Sequence, residues 1–140
     1  RRNAFMSIAG FDLDQIIDED TDLCVRFTLN KYNCLVYQGY ATIRNYHNHE
    51  ILQLTKNTEI KIVLDCYEKT FDKSAEKLDE STQGIWYLGS RYIRRATNAG
   101  AFIEAYNFCI KQEKIILKYK LLLLFYKKKI SFFIKQLKVT

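Results

Sequence analysis

The only two histidines of this 140-residue chain stand two apart in NYHNHE, at His47 and His49. On a β-strand successive side chains alternate, so both imidazoles would share one face and Glu50 would take the other. A same-face pair of this kind binds zinc or copper once a third ligand converges on it, and across a sheet Cys34 or Asp65 would be placed to do so. No spacing fixes that third ligand. Asn45 and Asn48 make the same stretch a good polar turn between hairpins, and that reading is preferred. His47 and His49 are therefore weak metal candidates, and no metal or cofactor is assigned.

The second cluster with chemical potential is GIWYLGSRYIRRATNAG, residues 84–100. It holds the single Trp of the chain, Trp86, and a run of Arg91, Tyr92, Arg94 and Arg95. On a helix the three arginines fall on one side at i, i+3 and i+4. Such a patch pairs with phosphate or carboxylate through bidentate hydrogen bonds, and Trp86 or Tyr92 alongside would stack a nucleobase. The competing reading is a core helix whose aromatics face inward and whose arginines face water.

Other chemistries find less support. The acidic run DEDTD puts Asp18, Asp20 and Asp22 at positions 1, 3 and 5 of an EF-hand loop. The turn glycine of that loop is replaced by Leu23 and its bidentate glutamate by Leu29, so calcium binding of this type is excluded. A short helix over 11–19 followed by a solvated acidic turn is expected instead. Four cysteines, Cys24, Cys34, Cys66 and Cys109, include no CxxC pair, which argues against a zinc finger or ribbon. They suit buried thiols in a reducing intracellular compartment slightly better than two disulfides, although no localisation is assigned. The five glycines form neither a phosphate-binding loop nor a nucleophile elbow, and the chain is read as non-enzymatic.

The elements that must carry these residues change character near Thr70. LCVRFTL alternates apolar and polar residues from Leu23, and YNCLVYQGYATIRNY after it is rich in β-formers. ILQLTKNTEIKIVLDCY resembles a second hairpin, with Ile60, Ile62 and Leu64 on one face. From residue 71 onward apolar groups recur three or four apart, as in a helix, with a break at TNAG (97–100). The expected fold is therefore α+β. An antiparallel sheet of about four strands fills the first half, and two or three helices follow, including a basic amphipathic C-terminal one. The opening Arg1-Arg2 in place of an initiator Met reads as a processed product.

Charge is distributed unevenly. The net charge is +6, yet residues 111–140 alone hold nine Lys and one acidic residue, Glu113, a net +8, so the other 110 residues carry −2. The apolar run Leu121–Tyr126 within this tail is far shorter than the roughly twenty residues of a membrane span, and Lys127–Lys129 follow it directly. As a helix, the tail places Ile115, Tyr119, Leu122, Leu123, Tyr126, Ile130, Phe133, Ile134 and Leu137 in one sector. Leu117, Leu121, Leu124, Phe125 and Phe132 occupy the far side, so the helix is apolar on more than one face. Two strands meeting at Lys127–Lys129 are the structural alternative.

These features divide the chain into a globular domain over 1–110 and a basic apolar segment over 111–140 that packs on the domain or on a partner. The expected function is a non-catalytic protein-binding or scaffold subunit. Its partner-binding residues would be Leu121, Leu122, Leu124, Phe125, Lys127, Lys128, Lys129 and Phe132. The alternative is an RNA- or DNA-binding module using Trp86, Arg91, Tyr92, Arg94 and Arg95 with the tail lysines. An anionic membrane surface is a further partner for the tail, without a transmembrane span.

Overall fold

The computed structural model describes residues 2–32, 58–79 and 83–137. Among them every regular element is an α-helix: α1 (Arg2–Ser7), α2 (Glu19–Leu29), α3 (Ile60–Ala75), α4 (Gln83–Asn98), α5 (Phe102–Lys111) and α6 (Ile115–Leu137). The expected antiparallel sheet is thus overturned where it can be checked. Its first strand is α2, and the last strand of its second hairpin opens α3. The intervening β-rich stretch, with Cys34, His47 and His49, lies outside the described residues. The chain divides into two compact units, Arg1–Glu59 and Ile60–Thr140.

The physical reason for the correction is visible in each helix. In α2, the alternation Val25, Phe27, Leu29 persists for five residues only, and short runs of that length fit either period. Stronger local signals favour the helix. Glu19, Asp20 and Asp22 stand in its first turn, where negative charge complements the helix dipole. Asp22, fully buried, accepts Arg26 Nε at 2.7 Å one turn on. Arg26 Nη1 also donates to Ile8 O at 2.7 Å, tying α2 to the end of α1.

The helix expected over 11–19 is replaced by turns. Gly10 takes the left-handed conformation (φ 65°) and its N–H closes back on Phe5 O at 2.9 Å. Asp14 N–H then bonds Asp12 Oδ1 at 2.9 Å, an Asx turn that competes with helix. The helix begins only past Asp18, which is itself left-handed at φ 68°.

In α3, the apparent strand face Ile60–Ile62–Leu64 gives way to a helical stripe of Val63, Cys66, Thr70, Phe71 and Ser74, all buried, while Ile62 is partly bare. That stripe spans about three turns against two and a half repeats of the β pattern, and the longer match wins. The hydroxyls it buries are satisfied locally: Thr70 Oγ1 donates to Cys66 O and Ser74 Oγ to Thr70 O.

Helix α4 is the centre of the second unit and packs against α3, α5 and α6. Gly89 makes this approach close. A Cβ there would lie 3.0 Å from Leu121 Cδ2 and 3.2 Å from Phe71 Cε2. Around it, Tyr92 stacks on Phe108 at 4.0 Å and Phe108 meets Phe71 edge-on at 4.9 Å. The chain breaks between α4 and α5 at Gly100 (φ 77°), where Ala101 N–H bonds Ala96 O. Lys111, at the end of α5, reaches Glu68 at 2.7 Å and Asp72 at 3.1 Å on α3.

Candidate functional site

The C-terminal segment is one continuous helix of 23 residues, about 34 Å long. Its buried residues are Leu117, Leu121 and Phe125, which enter the core against α4 and α5. Leu121 and Phe125 are 0% and 2% exposed, so these two expected partner-binding residues are core residues of this chain. Leu122, Leu124 and Phe132 are half-buried; Phe132 meets the Phe102 ring of α5 edge-on at 5.2 Å.

The opposite face of α6 is bare. Ile115, Ile116, Tyr119, Leu123, Tyr126, Ile130, Phe133, Ile134 and Leu137 are all exposed, over a range of 47–76%. Three of them are aromatic, at roughly 150–250 Å² each when fully bare, and the nine together leave on the order of 900 Å² of mainly apolar surface. The largest patch on a typical monomer is about 300–600 Å², so this face exceeds the ordinary surface background. Its residues span an arc of about 100° at 3.6 residues per turn.

Lysines border that arc on both sides. Toward α4, Lys120 and Lys127 join Trp86, Leu123 and Leu124 around a shallow apolar notch of about 410 Å³. Toward α5, Lys129 Nζ lies 5.7 Å from both the Phe102 and Phe125 ring centroids, where the ring faces attract its charge. Lys127 is exposed and Lys128 half-buried. The helix carries six Lys and no acidic residue. No helix among the described residues is long and apolar enough to cross a membrane.

The arginine cluster is dispersed by comparison. The Arg91 guanidinium sits 4.5 Å over the Tyr67 ring, with Nη2 3.3 Å from Tyr67 Oη. Arg94 is exposed and Arg95 half-buried. Tyr92 is buried on Phe108, and burial, followed by the charges of Glu68 and Glu104, pushes its phenol above the ordinary range. Trp86 belongs to the notch beside α6. The stacking aromatic and the arginines thus do not assemble into one platform.

Cysteine chemistry is quiet in the second unit. Cys66 and Cys109 are buried, and burial pushes the Cys109 thiol up to about 12, which holds it in the inert protonated form at neutral pH. Cys24, in α2, is exposed. No group of three or more metal-ligating side chains occurs among the described residues. No family model, curated protein or solved structure matches this chain.

Sequence periodicity located both apolar faces of α6 but not their orientation. The exposed residue it missed was Ile116, whose place in the outward face follows from its spacing to Tyr119 and Leu123.

Proposed function

We propose that this protein is a non-catalytic docking subunit that binds a larger protein partner through the outward face of α6. One observation carries the reading: nine exposed apolar side chains, together on the order of 900 Å², line one side of a helix whose other side is fixed in the core. A standard protein–protein interface takes about 800 Å² from each partner, so the face is of the size one complex requires. Its lysine borders supply the polar rim that surrounds such an interface, their stems lying along apolar surface while the ammonium groups stay in water.

The test compares two substitution pairs in the full chain expressed in its native setting. Leu123→Ser with Ile130→Ser, both outward, should release the co-purifying partner while leaving helix content and thermal midpoint unchanged. Lys61→Ser with Lys69→Ser on α3 should not. A partner retained by the first pair, or lost equally with the second, would refute the reading.

A further inference from the structure

The spacing of the exposed face says more than its area does. Seven of its residues, from Ile116 to Leu137, recur at intervals of three and four without interruption. Ile116, Leu123, Ile130 and Leu137 take the a positions of a heptad, and Tyr119, Tyr126 and Phe133 take the d positions. All seven are exposed. A 3.5-residue period sustained over three heptads is the seam of a left-handed coiled coil, in which each side chain fills a hole on a facing helix. Among the described residues, α4 and α5 lie against the other side of α6, and the Phe102 ring of α5 reaches the seam at Phe133, 5.6 Å away.

From this we infer that the seam receives one α-helix of a different protein, amphipathic and acidic along its flanks, which packs lengthwise on α6 as a coiled coil. The inference rests on the docking reading and names the occupant. Charge selects it. Of the six flanking e and g positions, three hold Lys120, Lys127 and Lys129 and the others Leu122, Ile134 and Gln136; in a coiled coil these positions set partner choice through pairs across the seam. A second copy of α6 brings no carboxylate to meet them, whereas Glu or Asp at the flanks of another helix meets all three. The apolar arc is only about 100° wide and lysines close it on both sides, a stripe suited to one helix lying along it, and vesicles in the experiment below separate this from a lipid surface.

The experiment titrates the full chain with a synthetic three-heptad peptide bearing Leu at a and d and Glu at e and g. Peptides with Gln or Lys at e and g, and vesicles of phosphatidylserine with phosphatidylcholine, serve as the other arms. The Glu peptide should bind about tenfold tighter than the Gln peptide, gain helical circular dichroism on binding, and weaken with added salt; the Lys peptide should not bind. Leu123→Ser with Ile130→Ser should cost at least about tenfold in affinity.

Equal affinity for the three peptides, or binding to none, overturns the acidic-helix occupant. Vesicle binding that vanishes in the double variant, without peptide binding, keeps the docking face and replaces the helix by a membrane. A dimer in sedimentation that the same variant dissolves replaces it by a second copy. Failure of all three arms overturns the helical occupant, and the docking face is then decided by the partner-release test of the outward substitution pair.

Discussion

The two sides of α6 are made of the same kinds of residue and have opposite fates. Leu117, Leu121 and Phe125 are sealed against α4 and α5, while Leu123, Ile130 and Leu137, a third of a turn or more around the helix, stand in water. Hydrophobicity alone does not separate them. What separates them is the neighbour: Gly89 leaves room for Leu121 at van der Waals range, and the Phe102 ring meets Phe132 edge-on. The inner side holds the second unit together. The outer side stays largely exposed, its ring contact with α5 being Phe133 on Phe102.

The sharpest way to break this contrast is truncation on each side. Leu121→Ala removes a fully buried side chain and should cost about 2–5 kcal/mol in chemical denaturation of the full chain. Leu123→Ala, two residues on, should stay within about 0.5 kcal/mol of the parent. Equal losses would mean that the outward face is covered in the native chain.

Alkaline stability probes the buried side alone. The Cys109 thiol titrates near 9.0 when unfolded and at about 12 in the fold, so the native state binds its proton more tightly. The stability this provides is whole below pH 9 and declines as pH rises toward 12, with Tyr92 adding a loss in the same direction above pH 10. One pH unit within that window is worth about 1.4 kcal/mol per group. Thermal midpoints at pH 8 and pH 10.5 should differ by several degrees, and Cys109→Ala should reduce the difference. A midpoint flat across that interval would show Cys109 to be open to water.

A gentler probe is the helix-to-helix contact at Gly89. Alanine favours a helix interior by up to about 1 kcal/mol over glycine, yet its Cβ would press on Leu121 and the Phe71 ring. Overpacking costs about 1–3 kcal/mol, so Gly89→Ala should lower stability by about 1 kcal/mol net. A gain would mean that α6 yields easily, and that the inner contact is looser than its distances indicate.

The smallest effect belongs to the surface ion pairs that join α5 to α3. Lys111→Ala loses exposed ion pairs to Glu68 and Asp72 and should cost about 0.2–1 kcal/mol, less at high salt. Hydrogen bonding to Glu68 raises the Lys111 ammonium above its ordinary range, so this contribution is present at neutral pH and fades only in strong alkali.

Legibility in the sequence followed the length of each pattern. The helices after residue 83 and the break at Thr97–Gly100 were readable because apolar spacing of three and four persists there over many turns. The errors fell on Leu23–Leu29 and Ile60–Leu64, where five alternating residues mimic a strand and the deciding signals are the Asp22–Arg26 pair and the longer stripe to Ser74. At the candidate site, the lysine-rich apolar tail stood out at once. Its assignment of Leu121 and Phe125 to a partner did not anticipate that α4 and α5 bury them.

By itself the sequence determined that residues 115–137 carry two apolar faces, six lysines and no carboxylate, since composition and period are properties of the chain alone. Only the tertiary structure decided which face turns inward. That choice depends on shape at α4 and α5, where Gly89 leaves room for Leu121 and the Tyr106 ring lies 6.0 Å from that of Phe125, and no periodicity encodes which of two greasy sides will meet them.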